Sequence, residues 1–470
     1  NLSILSKVVA GIALLVLLVS CAPAATPAPA PTAAPAATAA PTAVPATPTM
    51  GKAQDVITWW EYDQNNTDPK ADEHVGNFDL AKAIPLFNKA FPGQWNWVNV
   101  PVAFDQKDAQ LIAAVQAGGQ VPDVFEATYS INTFVQHGTL QDLTDWAKAQ
   151  SWFAAMDPSA LKACTGPDGK LYCIPLVTRP QLVYVWKDRF PNGFPTSPDD
   201  FMTQAAALKA KGFYAMSYFG STDNNGDGIT RGMDTVLQSF GGGLDDGHGK
   251  MLLNTPQNMA AITFMRTIVA DGYVPEIAFA GGFQEESAFN DSSAGSFPTS
   301  LNGYLFMNPL TAPSGKKYNL GNENDFLNAV TAGDIYLSPF FSAVAGQKPG
   351  CNIDITGLAI PVGATNLDGA HAYINWLLSA EENASFVAAL GGFPALTTSQ
   401  SDPLFQQAYY TEASKVLTQE SCKPWFGSLV DPAAAQPIAM TVLYQLIKQN
   451  PNADMAAALT SAQDQYNSTH

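Results

Sequence analysis

Positive charge is scarce in this chain. Lys and Arg number 23 against 41 Asp and Glu, a formal net charge of −18. That balance argues against nucleic acid or an anionic membrane surface as the partner, since both are held by basic patches. Charged residues of both signs make up only 14% of the chain while hydrophobic residues make up 46%, which fits a well-packed globular body. Histidine is also sparse. The five copies (74, 137, 248, 371 and 470) are scattered, with no H-E-x-x-H and no other metal-ligand spacing, and no G-x-S-x-G elbow occurs. Zinc-peptidase and serine-hydrolase chemistry therefore have no motif to stand on. A secreted carbohydrate-active enzyme stays open, because a retaining glycosidase needs only two placed acids, and pairs such as Glu285-Glu286 exist. Beyond the first 20 residues no stretch is long and apolar enough to span a bilayer.

What is present begins with one greasy run. Val8 to Val19 is apolar or small throughout and follows Lys7. It is about a dozen residues long, against the roughly 20 needed to cross a bilayer, and so reads as a secretory signal. The run closes on Leu18-Val19-Ser20-Cys21, which resembles the lipobox of bacterial lipoproteins. The resemblance implies a signal over residues 1–21 and a diacylglycerol on Cys21; the alternative is an ordinary secretion signal with a chance cysteine. Residues 22–49 are almost only Ala, Pro and Thr, without charge. Such a tract buries too little to order itself. Its prolines favour polyproline geometry, and about 28 residues at roughly 3.1 Å each could reach ~85 Å. The expectation is a tether over 22–52 and a working body from Lys52. The remaining ~420 residues are too many for one core and imply two domains.

Five cysteines are present. Cys21 is the lipid candidate. Cys164 and Cys173 flank TGPDGKLY, a turn that would bring them together as a hairpin disulfide. Cys351 and Cys422 then pair by elimination, giving two disulfides in an oxidising compartment. The alternative is free buried thiols.

Along the body, DVITWWEYD (55–63) reads as a strand, NFDLAKAIPLFNKAF (77–91) as a helix, WNWVNVPV as a strand, FDQKDAQLIAAVQAG (104–118) as a helix and VPDVFEAT (121–128) as a third strand. Alternation of this kind predicts an α/β fold with a parallel sheet. Residues 170–190 are β-rich, SPDDFMTQAAALKAKG (197–212) opens a helix at Ser-Pro-Asp, and a second α/β unit begins near 180.

Five segments in order carry a resemblance: GGQVPDVFEA (118–127), HGTLQDLTDW (137–146), DGKLYCIPLVTRPQLVYVWKDRF (168–190), LLNTPQNMAAITFMRTI (252–268) and TGLAIPVGATNLDGAHAYINWLLSAEENASFVAALGGFPAL (356–396). Together they resemble the extracellular solute-binding proteins of bacterial ABC importers, of the sugar and oligosaccharide type. The resemblance implies a two-lobed periplasmic-binding-protein fold (type II) with a cleft between hinged α/β lobes. It assigns 53–176 and 355–395 to lobe 1, and 177–350 and 396–470 to lobe 2. It implies a monomeric, non-enzymatic receptor that needs no cofactor, closes on a sugar and delivers it to permease subunits. Such a receptor stands on the outer face of the cytoplasmic membrane, held by its lipid anchor alone. The chain departs from the family pattern at Cys173, where Gly is usual, at Val185-Trp186-Lys187, where Tyr-Asn-Lys is usual, and over 303–350, which is longer. Those departures bear on substrate. A polyamine or a polyol phosphate is the alternative ligand within the class, and an adhesive surface protein the alternative outside it.

Ligands of open α/β sheets sit off the carboxyl ends of strands. That rule selects Trp60, Glu61, Tyr62, Asp63 and Gln64, then Tyr129 and Ser130, then Phe219 and Ser221. The resemblance adds Arg179 at the crossing between lobes, Thr299 and Ser300 in a lobe-2 loop, Phe393 and Trp425. Aromatic faces would cover the C–H faces of a sugar, while carboxylates, amides and Arg take its hydroxyls. Core packing is the alternative for each aromatic; alternation points Trp59 away from Trp60 and favours the core for Trp59, while Trp60 stays open between cleft and core. For Glu61 and Asp63 the alternative is a solvated loop.

A second signal lies in STDNNGDGITRGMD (221–234). Asp223, Asn225 and Asp227 occupy positions 1, 3 and 5 of a calcium loop, Gly228 position 6, Ile229 the carbonyl position 7 and Asp234 position 12. The set departs at position 12, Asp rather than Glu, and at Thr230 where an aliphatic is usual. A structural Ca2+ bracing the loop is one expectation; a polar loop of turn-forming Asn-Gly and Asp-Gly pairs is the other.

Overall fold

The computed structural model describes residues 53–60, 75–103, 106–128, 131–222 and 228–470. Cys21 and the tether, Glu61 to Gln64, Tyr129, Ser130, Asp223, Asn225 and Asp227 lie outside the described residues.

Eleven strands are formed among the described residues: β1 (Gln54–Trp60), β2 (Trp95–Pro101), β3 (Val124–Thr128), β4 (Ile174–Trp186), β5 (Ser296–Ser300), β6 (Leu310–Thr311), β7 (Lys317–Tyr318), β8 (Ile335–Ser338), β9 (Gly350–Ala359), β10 (Phe393–Pro394) and β11 (Ser421–Pro424). The first three are the parallel unit the alternation predicts. β1 pairs in parallel with β2, Gln54 opposite Trp95, and with β3, Thr58 opposite Val124. Helices Val75–Ala90 and Lys107–Gln116 make the crossovers. The path continues β2-β1-β3-β9-β4-β10, with β9 antiparallel to both β3 and β4. The result is a mixed α/β sheet of the two-lobed type.

Two strands change partners along their length. β4 pairs with β9 from Ile174 to Pro180, then with β5 and β8 from Gln181 to Trp186. β9 pairs with β11 over Gly350 to Ile353 and with β3 and β4 beyond. Proline explains the switch in β4. Pro180 ends the pairing with β9, and a register shift falls between Pro175 and Val177, places where a residue without an N–H costs no ladder bond. Alternation along the same strand separates two buried cores: Val183 and Val185 face one, Tyr184 and Trp186 the other. The first core gathers Phe87, Trp97, Phe125 and Tyr373, and also Phe289, Phe326 and Tyr409 from stretches that the resemblance assigns to lobe 2. The second gathers Phe201, Met265, Leu443 and Tyr466. Residues 303–350 fold as the β6–β7 hairpin, helix Asn324–Thr331 and β8, and contribute Tyr318 and Phe326 to the first core.

Both expected disulfides form, Cys164–Cys173 and Cys351–Cys422. The first lies against Gly357 of β9, where an added Cβ would sit 2.6 Å from Cys173 Sγ and 3.0 Å from Cys164 Sγ. The helix expected at Ser-Pro-Asp starts as Pro198–Lys209, with Ser197 Oγ accepting from the Asp200 amide. No helix among the described residues is long and apolar enough to cross a membrane.

Candidate functional site

The crossing of β4 and β9 carries a buried polar cluster. Period-2 alternation on β9 points Asn352, Asp354 and Thr356 to one side, and all three are buried. Across the ladder Arg179 stands opposite Asp354. Its Nε donates to the Leu390 carbonyl at 3.0 Å and its Nη1 to Thr356 Oγ1 at 2.7 Å. Helix Gly228–Ser239 lies over the crossing and brings Arg231, whose Nη2 donates to Asp354 Oδ2 at 2.7 Å and also to Ser300 Oγ. Ser300 Oγ in turn donates to Asp354 Oδ2 at 2.8 Å. Thr235 donates to Gln181 Oε1, and Gln181 Nε2 to the Arg231 carbonyl. The guanidinium of Arg231 lies 6.0 Å over the Trp425 ring.

Acids surround this cationic centre. Burial, and then the charge of Glu285, push the Glu286 carboxyl up to about 8, while Arg231 pulls it the other way. Burial likewise lifts Asp234 to about 7, against its hydrogen bonds from Gln238 and Asn352. Phe219 packs edge-on against Phe297 and Phe283, at 5.1 and 6.1 Å between centroids, and Phe283 is exposed at 46%. Guanidinium donors, carboxylate and hydroxyl acceptors and an aromatic edge are the groups that hold a polar, hydroxyl-bearing solute.

Of the residues selected from sequence, Arg179, Ser300 and Trp425 meet in this cluster. Ser221 borders it through its carbonyl, which accepts from the Ile229 amide, and Thr299 precedes Ser300 on β5. Trp60 is a correction. It is fully buried, edge-on to Phe386 at 5.3 Å, and belongs to the first core. Trp59, expected in the core, is the partly buried one. Both faces of a parallel sheet are covered, so alternation does not decide which side faces a ligand. Trp425, although beside Arg231, is also fully buried, stacked on Phe426 and part of the second core. Phe393 packs against Tyr410 on β10. Ile229 and Asp234 stand inside helix Gly228–Ser239, where a position-7 carbonyl serves the helix's own ladder and the Asp234 carboxylate is bound to Gln238 and Asn352.

Sequence reading missed Arg231, Asp354 and Gln181, and named Glu286 only as half of an acid pair. A signal for two of them was legible: Asn352, Asp354 and Thr356 recur at every second residue of a strand otherwise apolar (Ile, Leu, Gly, Ala and Cys351), and Arg231 is the one cation in its helix. A groove of about 1050 Å3 runs elsewhere, between Lys162–Pro167 on one wall and Gly241–Gly249 and Lys423 on the other, and none of the sequence-selected ligand residues lines it.

A two-part α/β fold with two shared crossing strands and a polar centre on them defines a solute-binding class of protein. Residues 82–411 match the family of bacterial extracellular solute-binding proteins, and the chain belongs to that family. No curated protein sequence matches the chain. Solved structures share the fold. Maltose-bound MalE3 of T. maritima is 16% identical with a TM-score of 0.67, over 88% of this chain and 100% of that one. A solute-binding protein of an ABC transporter from Agrobacterium radiobacter, in complex with ribitol, is 17% identical with a TM-score of 0.68, over 89% and 99%. UgpB from Mycobacterium tuberculosis, in complex with glycerophosphocholine, is 17% identical with a TM-score of 0.67, over 88% and 98%.

Proposed function

We propose that this protein is the capturing receptor of an ABC importer, lipid-anchored through Cys21, and that it binds a sugar, an oligosaccharide or a related polyol without chemical change. The observation that carries the reading is the Arg179–Arg231–Ser300–Asp354 cluster placed on the strands shared by the two parts of the sheet. A solute that bonds these groups ties the crossing strands together, and a ligand shifts such a hinge only by its preference for the closed form. Membership in the solute-binding family supports the role. The polyhydroxy ligands of two of the similar structures support the ligand class. A non-sugar polar solute is the second reading, favoured by the buried acids Glu285 and Glu286 and by the glycerophosphocholine complex among the similar structures.

The test is a thermal-shift screen of the chain from Lys52 onward against sugars, polyols, polyol phosphates, amino acids and polyamines. A ligand at 100 times its Kd adds about 2.7 kcal/mol of stability. A shift by one sugar or polyol class, with the compound recovered unaltered, upholds the proposal. A shift only by amines or phosphates moves the ligand class. Consumption of a glycan refutes the receptor role.

A further inference from the structure

The two disulfides lie near opposite ends of one strand, β9, and sit in different chemistry. Cys164–Cys173 lies against Gly357 near the end of β9, and both of its cysteines are fully buried. Cys351–Cys422 joins the start of β9 to β11, the two residues standing opposite each other in the parallel pairing. Here Cys351 is fully buried, Cys422 is partly exposed, and β11 is otherwise open to solvent at Ser421, Lys423 and Pro424. Glu420 lies beside this second bond. A carboxylate oxygen of Glu420 and the two sulfurs are all within 4.8 Å of one another. The side chain is only 6% exposed, and neither of its oxygens has a hydrogen-bond partner.

An unpartnered acid is costly inside a protein unless it stays protonated. Burial pushes the Glu420 carboxyl up to about 9, and the Phe340 amide, which makes no normal hydrogen bond to it, opposes this. A neutral acid is therefore parked against a disulfide that has one reachable sulfur and one buried sulfur. The buried sulfur is a poor leaving group on its own, since a thiolate in an apolar site is destabilised.

We infer that Cys351–Cys422 is a redox site for a dithiol reductant, with Glu420 as the acid that protonates the departing Cys351 sulfur. A thiolate of the dithiol attacks Cys422 Sγ and forms a mixed disulfide. The S–S electron pair leaves on Cys351 Sγ, which takes the Glu420 proton. The second thiol of the reductant then attacks its own sulfur in the mixed disulfide, and Cys422 leaves and is protonated from solvent. Two electrons pass to the protein, the reductant becomes a disulfide, and Glu420 regains from solvent the proton that the attacking thiol gave up. The product is a β9 whose first residues are no longer covalently tied to β11, while Cys164–Cys173, packed against Gly357 but not bonded to β9, stays intact.

The full folded chain is incubated with dithiothreitol at neutral pH, quenched with iodoacetamide at intervals, and the labelled cysteines are mapped by peptide mass. Label is expected at Cys351 and Cys422 well before Cys164 and Cys173. Glu420→Gln is expected to slow that opening by roughly a hundredfold, the low end of what a positioned acid contributes, with the Cys164–Cys173 rate unchanged. Simultaneous opening of both bonds, or Cys164–Cys173 first, overturns the inference; so does a Glu420→Gln rate equal to wild type. Wild type supplies a check that needs no variant. Corrected for the reductant's thiolate fraction, the opening rate should fall as pH rises past the titration of Glu420, and a flat profile overturns the acid's role. The charged groups on adjoining elements are Lys348, bound to the Thr418 carbonyl, exposed Lys423, and Asp234, bound to Asn352; burial and the Phe340 amide, not these, set Glu420.

Discussion

The parallel unit β2-β1-β3 and the crossing pair β4–β9 belong to one sheet but are built on opposite rules. In the parallel unit the helix-covered face is aromatic: Phe87, Trp97 and Tyr373 meet edge-to-face at 4.8 to 6.2 Å. The small polar set within it, Trp97 Nε1 donating to Thr58 and Thr58 to Asn99, is satisfied internally. At the crossing, by contrast, Arg179, Gln181, Asn352, Asp354 and Thr356 are buried within a few residues of one another. A buried ion pair is weak support for stability, because desolvation offsets most of its attraction. The parallel unit is thus packed for stability, and the crossing keeps polar groups that stability alone would not select.

The sharpest way to break that contrast is a pair of substitutions of similar cost. Trp97→Ala should cost about 3–5 kcal/mol in urea unfolding and leave the ligand affinity of the folded fraction unchanged. Asp354→Ala removes the partner of buried Arg231 and should cost about 3–5 kcal/mol as well, but it should also abolish the ligand-induced thermal shift. If Asp354→Ala unfolds the protein less than Trp97→Ala and still binds, the crossing is ordinary scaffold.

An effect of similar size, but graded with pH, tests the acids of the crossing. Glu286 titrates at about 8 when folded, well above an ordinary carboxyl. A raised acid favours the folded state fully below its unfolded pKa, and that contribution is lost as pH rises through the folded pKa. Stability should therefore decline by up to ~1.4 kcal/mol per pH unit from about pH 4.5 to about 8, and Glu286→Gln should flatten that decline. An unchanged slope in the variant would show that other groups set the pH dependence. Smallest is Gly357→Ala, which pushes a methyl against Cys164–Cys173 and should cost about 1–2 kcal/mol by thermal melting without loss of the disulfide. A neutral result would mean that this end of β9 is loosely packed.

Legibility in the sequence divides along the same line. β1, β2, β3 and their crossover helices were readable because period and punctuation are local, and the Ser197 start appears where Ser-Pro-Asp places it. The hairpin cysteines were readable because only a turn separates them. The roles of Trp59 and Trp60 were not, since helices cover both faces of a parallel strand and both rings find cover. Arg231 escaped for another reason: it lies inside a segment whose spacing suggested a calcium loop, and its partner is 123 residues away.

By itself, then, the sequence determined the α/β class, the parallel unit, the hairpin disulfide and the family, all of which follow from short-range periodicity, turn chemistry and ordered motifs, while Cys351–Cys422 followed by elimination alone. Only the tertiary structure decided which polar residues meet. Arg179, Arg231, Ser300 and Asp354 come from four separate elements, and Glu420 meets Cys351 only because β11 pairs with β9. Such meetings depend on long-range strand pairing and on burial, and neither leaves a periodic trace in the chain.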